Sequence, residues 1–249
     1  MKKIYFLLCV FAMLVQTVGA VTKEEADQAY EQNKFPEAIQ LYEALLSEQG
    51  ESADVYYNLG NAYFKDKNTA KAVLNYERAL LLNPGDADTR YNLEVARSKS
   101  VDQITPASEV FFVTWYRSVA ETMSEKQWSS VAISSFVLLL ICLGLYFLGK
   151  QMLVRKIGFI AAVVLLLVTL IVNSFASTQR EKLINRNGAI VMAPSVTVKS
   201  TPSESGTDLF VLHEGTKVFV EDDSMKEWKE IRLEDGNKGW ISTDAIENI

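Results

Sequence analysis

Cysteine and histidine are nearly missing from this chain, which has Cys9, Cys142 and the single histidine His213. Both cysteines fall in apolar runs, so neither can staple an aqueous domain, and one histidine without a cysteine cluster excludes the usual zinc sets. The same shortage removes nucleophilic catalysis. No Ser/His/Asp or Cys/His set can be assembled around His213, which lies in a strand-to-turn region. No Gly-rich phosphate loop of the Walker or dinucleotide type occurs, so nucleotide hydrolysis is excluded as a power source. Carboxylates are plentiful, but Asp222-Asp223 and Glu24-Glu25 sit in turns or first helical turns, where solvation or the helix dipole accounts for them. The reading is a chain with no catalytic residues, no metal and no cofactor.

Basic charge is scarce too. Residues 21–128 hold 11 Lys+Arg against 18 Asp+Glu, and residues 177–249 hold 9 against 13. Neither segment offers the basic stripe that DNA or RNA requires, so nucleic-acid binding is excluded. Charge is absent altogether from residues 130–149 and 157–176. Each run is long enough to cross a hydrocarbon core of about 30 Å as helix, and two transmembrane helices are expected. Lacking Asp, Glu, Lys, Arg and His, they provide no ion pathway. The turn between them, residues 150–156, carries Lys150, Arg155 and Lys156. The positive-inside rule places it in the cytoplasm and both long flanking segments on the far side. Residues 1–20 have the build of a secretory signal peptide, with Lys2 and Lys3, an apolar run from residue 4, and Val18-Gly19-Ala20 as exit. An uncleaved anchor, or a lipoprotein box at Leu7-Leu8-Cys9, stays open. The expected location is a bacterial inner membrane, with both exported portions periplasmic.

The best-marked motif is Tyr56, Leu59, Gly60, Tyr63, Ala72, Tyr76, Ala79 and Pro84. This spacing resembles the helix-turn-helix signature of the tetratricopeptide repeat (TPR): small residues where two antiparallel helices cross, aromatics between them, and proline where the second helix stops. One repeat cannot bury its own apolar face. A shift of about 34 residues finds Ala26, Ala29, Phe35, Ala38, Tyr42 and Leu45 in register. A further helix from Asp86 reads as a cap, giving an all-α solenoid over residues 21–100. The first helix of each repeat lines the concave groove, which nominates Asp54, Tyr57, Asn58, Asn61 and Lys65 as protein-binding residues. Asn58 and Asn61 offer donor and acceptor to an extended peptide, or are simply solvated. The next helix presents Asp88 and Asn92 where a carboxylate clamp would need cations, so such a clamp is not expected.

Residues 101–129 are read as a linker and an amphipathic juxtamembrane helix, its Phe111, Phe112, Trp115 and Tyr116 lying against the bilayer. A lid packed on the TPR helices is the alternative. Residues 177–187 are read as a polar, helical tether leaving the second span. Residues 188–249 then change pattern, with β-prone runs at 189–191, 196–199, 216–220, 228–232 and 238–241, split by turn residues. Val196-x-Val198-Lys199-Ser200-x-Pro202-Ser203, Glu214-Gly215-Thr216, Trp228-x-x-Ile231 and Gly236-x-x-Gly239-Trp240-Ile241 resemble the bacterial SH3-like family. That resemblance implies a small all-β barrel marked by Pro202, Gly215, Trp228, Gly236, Gly239 and Trp240. Trp228 and Trp240 are expected in its core rather than as a ligand platform.

Taken in order, leader, two TPR units with a cap, two spans joined by a basic turn, and an SH3-like barrel resemble the BatE-type aerotolerance proteins of Bacteroidetes-like bacteria. Asn83-Pro84-Gly85-Asp86 followed by Tyr91-Asn92-Leu93-Glu94-x-Ala96-Arg97 looks like that family's end-of-solenoid segment. The resemblance implies envelope partners, namely Bat proteins with von Willebrand A-like domains encoded beside a MoxR-type ATPase, in a stress-related complex. The residues alone support a membrane scaffold with protein partners, or a cell-wall sensor whose barrel binds peptidoglycan.

Overall fold

The computed structural model describes residues 21–249, so the leader read at residues 1–20 lies outside the described residues. Five helices come first: α1 (Lys23–Glu31), α2 (Phe35–Gln49), α3 (Ala53–Lys65), α4 (Thr69–Leu82) and α5 (Ala87–Arg97). The starts of α1, α4 and α5 are set by side chains that satisfy orphan N–H groups. Thr22 and Glu25 form a capping box on α1, Asn68 accepts from the Lys71 amide, and Asp86 accepts from Asp88 and Thr89. The 34-residue period is written in the backbone as well. Asn33 and Lys67 both take positive φ, 59° and 67°, in the turns of the two hairpins. Lys34 N–H bonds to the Ala29 carbonyl as Asn68 N–H bonds to that of Tyr63. Ala26, Ala38, Tyr42 and Leu45 of the first repeat are buried, as are Gly60, Ala72, Tyr76 and Ala79 of the second.

Next come α6 (Phe111–Ala120) and a hairpin of two long helices, α7 (Glu125–Leu148) and α8 (Met152–Ile184). Both long helices are apolar enough to cross a membrane, with a mean hydropathy of 2.6 in their most apolar stretches. Ser135 and Thr169 join them by a hydroxyl bond of 2.9 Å. The polar segment read as a helical tether at residues 177–187 is helix as far as Ile184. Gln, Arg, Glu and Lys are good helix formers, so α8 runs unbroken through the polar segment to Ile184.

The C-terminal unit is a sheet of seven strands: β1 (Gly188–Val191), β2 (Ser195–Lys199), β3 (Asp208–His213), β4 (Lys217–Asp222), β5 (Trp228–Arg232), β6 (Lys238–Ser242) and β7 (Ile246–Asn248). The order is β3-β2-β6-β5-β4-β1-β7, every neighbour antiparallel. The five expected runs are all strands, and β3 and β7 are additional. Those two are the edges and do not pair with each other, so the sheet is open where a closed barrel was expected.

Its core is Ala189, Val191, Val198, Leu212, Val218, Ile231, Leu233, Ile241 and Ala245. Trp228 and Trp240 are not in it. Alternation along β5 and β6 sends Ile231, Gly239 and Ile241 inward and therefore puts both indoles on the outer face, half-buried. Gly239 allows β2 to cross close over β6, because a side chain there would run into Val198 and the Lys199 carbonyl. Gly215 and Gly236, at φ 84° and 94°, make the turns after β3 and β5. Pro202 stands in the loop that Ser200 N–H closes onto the Thr207 carbonyl.

The helical unit and the sheet share a core. Ile190, on the outer face of β1, packs with Ala72, Val73, Leu74 and Tyr76 of α4 and with Leu93 and Ala96 of α5. Ion pairs surround it: Lys71–Glu247 at 2.7 Å, Arg78–Glu247 at 3.3 Å and Lys217–Glu77 at 2.6 Å. Beyond the cap, Asp102 accepts from the His213 amide at 2.7 Å and from Thr216 Oγ1 at 2.7 Å, and pairs with His213 Nδ1 at 2.8 Å.

Candidate functional site

The first helices of the hairpins, α1, α3 and α5, stand side by side and form the concave face. A ladder of hydrogen bonds crosses it. Within each repeat the second helix sends a tyrosine hydroxyl to the first: Tyr42 donates to Asp27 Oδ1 at 2.6 Å and Tyr76 to Asn61 Oδ1 at 2.7 Å. Between helices an asparagine donates back to the same acceptor: Asn58 to Asp27 Oδ1 at 3.1 Å and Asn92 to Asn61 Oδ1 at 2.9 Å. Both pairs of bonds repeat at 34 residues, so the ladder is a property of the repeat.

The ladder also tunes its own groups. Burial works to raise the Asp27 carboxyl, but Lys23, Tyr42 and Asn58 together hold it below the usual carboxylate range. Burial and then the Asp27 carboxylate push the Tyr42 hydroxyl well above its ordinary range, keeping it a donor.

The structure brings Tyr57, Asn58, Asn61 and Asn92 together, half-buried, with the Tyr57 hydroxyl accepting from Asn92 at 3.3 Å. Asp54, Lys65 and Asp88 are exposed around them. Part of the amide capacity nominated for a peptide is thus engaged in tying the solenoid together. Asp27, Tyr42 and Tyr76 are members of this face that sequence reading missed. The visible signal was the 34-residue step from Asp27 to Asn61.

The opposite, convex side of α4 is closed by the sheet, so among the described residues the concave face is the one left open. Between the α4–α5 end, α6, the end of α8 and the sheet lies a cavity of about 890 Å³. It is rich in cations, yet nearly all are committed: Arg117 to Glu109, Lys182 to Glu121, Arg186 to Glu51, Lys217 to Glu77 and Arg232 to Glu221. Arg90 donates to the Pro84 carbonyl at 2.6 Å. This space is a braced junction between units.

A tetratricopeptide repeat family model matches residues 53–86, and a TPR repeat model matches residues 26–67. The helical unit is a pair of TPR repeats. Among curated proteins no sequence matches this chain. TPR units are protein-interaction modules, and the open concave face is where α1, α3 and α5 of this TPR unit present polar and aromatic side chains together.

Proposed function

We propose that this protein is a non-enzymatic membrane scaffold whose TPR groove holds a protein partner, with the C-terminal sheet as its buttress. The observation that carries this reading is the division of the two TPR faces. Among the described residues the convex side is spent on the sheet through Ile190 and its ring of ion pairs, and the concave side is left free. The partner class is an envelope or membrane protein on the far side of the bilayer. The Bat-type von Willebrand A-like proteins implied by resemblance are the first to try.

Affinity capture from solubilised membranes tests this with wild type and an Asp54→Arg/Asp88→Arg variant. Both positions are exposed, so the fold should be kept. Reversing two charges on a short groove should reduce a bound partner by at least about tenfold. Equal recovery with both baits would remove the groove as the docking surface.

A second reading, a cell-wall sensor, is favoured by one observation: Trp228 and Trp240 lie on the outer face of the sheet, Trp240 directly opposite Glu230 and beside Lys199. Half-exposed indoles on one face can stack against sugar rings of peptidoglycan. Sedimentation of the full chain with purified sacculi, wild type against Trp240→Ala, separates the two. The sensor reading expects retention of wild type and its loss in the variant. No retention of wild type above a control protein leaves the scaffold reading alone.

A further inference from the structure

We propose that α6 is seated in the outer leaflet of the bilayer, with Phe111, Phe112 and Trp115 in contact with lipid. This rests on α7 and α8 crossing the membrane. Phe111, Phe112 and Trp115 are 72%, 75% and 55% exposed, an aromatic patch on one short helix. At about 100° per residue they belong to the same broad apolar face as Tyr116, Val119 and Ala120. Among the described residues only the C-terminal half of that face has a protein partner.

That partner is the far end of the helical hairpin. The Tyr116 hydroxyl lies 2.8 Å from Ser174 Oγ and 3.0 Å from Thr178 Oγ1, and its ring centroid is 5.0 Å from that of Phe175. Gln179 and the Trp128 indole both donate to the Ala120 carbonyl, at 2.7 and 2.9 Å, and Lys182 pairs with Glu121 at 2.6 Å. These contacts climb α6 and α8 in the same direction. From Tyr116 to Glu121 the helix therefore advances with α8, and continued backwards at about 1.5 Å per residue this course takes its first turn toward Leu170 and Ile171. Those two residues are exposed and belong to the uncharged run of α8. The bare aromatic patch is continuous with the surface that the spans present to lipid. The other side of α6 suits water: Thr114 and Arg117 line the cavity, and Arg117 pairs with Glu109.

Aromatic side chains at this depth match the preference of Trp and Phe for the boundary region and the acyl chains below it. The consequence is a fixed height for the TPR unit, since Thr122, two residues past α6, abuts Gly85, and Arg186, two residues past α8, forms a two-bond pair with Glu51 at 2.6 and 2.7 Å.

The test uses the full chain in lipid nanodiscs, with Cys9→Ser and Cys142→Ser, and one spin-labelled cysteine at a time: Phe111→Cys, Phe112→Cys, Trp115→Cys, Arg117→Cys or Leu140→Cys. Collision with oxygen reports lipid and collision with a water-soluble nickel chelate reports water. Phe111→Cys and Phe112→Cys should be oxygen-accessible and nickel-protected, deeper than Trp115→Cys, with Arg117→Cys open to nickel. Nickel access at Phe111→Cys and Phe112→Cys, with Leu140→Cys deep, overturns the seating of α6 and leaves the spans intact. Nickel access at Leu140→Cys overturns the spans and the proposal with them. Protection from both probes with spin–spin broadening means that a second copy covers the patch, and also overturns it.

Discussion

Glu77→Ala should lower the unfolding free energy of the protein by about 3 to 5 kcal/mol, the range for stripping one partner from a buried ion pair. Glu77 sits on α4 with 7% of its surface exposed, where α4, α5 and β4 meet. Its carboxylate takes Lys217 Nζ at 2.6 Å on one oxygen and the Arg97 guanidinium on the other. Alanine leaves two cations facing each other beside the shared core. The lower end of the range is expected, because Arg97 is 36% exposed and has Glu234 at 3.7 Å as a second partner.

Burial by itself pushes the Glu77 carboxyl up, but Lys217 and Arg97 outweigh it and hold it below its ordinary value of 4.5. A carboxyl held low in the folded state contributes stability that is complete above its unfolded value. That stability drains as pH falls through the folded value. Wild type should therefore lose stability from about pH 4.5 downward, and Glu77→Ala should lack that part of the slope. Denaturant unfolding of the solubilised full chain from pH 7 to pH 3.5 checks both. Glu77→Leu/Lys217→Met should recover much of the loss, since an apolar pair of similar volume carries no desolvation cost. If the single variant matched wild type at pH 7, or the two acid slopes coincided, the junction would not be what binds the sheet to the repeats.

That junction also marks where the sequence stopped being legible. The TPR helices were readable because Gly60, Ala72, Tyr76 and Pro84 act locally: small residues, aromatics and a stop at fixed spacing within one hairpin. The two long apolar helices were readable for a similar reason, since each is announced by an uncharged run long enough to cross a bilayer. β3 was missed because Leu209 to Leu212 is apolar without alternation, and its exposed Leu209 and Val211 follow from its place at the sheet edge. β7 is three residues long and owes its strand conformation to β1.

The indoles were misplaced for a subtler reason. Size suggested the core, but the face is decided by register, and Gly239 and Ile241 had already claimed the inside of β6. Least legible was the docking of the two units. Glu77 meets Lys217 across 140 residues, and nothing in local pattern announces such a pair. The concave face gathers four of the nominated residues, Tyr57, Asn58, Asn61 and Asn92. Its use of Asn58, Asn61 and Asn92 as internal rungs required knowing which tyrosines and carboxylates stand behind them.

Gly60→Val should cost about 3 kcal/mol, the upper part of the range for overpacking a filled core. A Cβ at Gly60 would stand 2.7 Å from both Cδ1 and Cε1 of Tyr76, closer than packed carbons allow. The ring has nowhere to go. Tyr76 is 1% exposed, its hydroxyl is bound to Asn61 at 2.7 Å, its ring lies 6.3 Å from that of Tyr57, and its neighbours include Ile190 of the sheet. The first repeat supplies an internal control, because Ala26 occupies the matching place opposite Tyr42 and both are buried there. A single methyl is thus compatible with this crossing once the helices separate slightly. In Gly60→Ala that strain is offset by about 1 kcal/mol of helix propensity, leaving a small net loss. Valine adds two branches with a smaller propensity gain and must push α3 from α4. Because Tyr76 and Ile190 belong to one buried cluster, the displacement should loosen the sheet as well as the repeat. Thermal unfolding should then show one shared downward shift in the helical and aromatic signals, with the order Gly, Ala, Val. A valine variant as stable as wild type would mean that the α3–α4 crossing is not set by the missing side chain at Gly60.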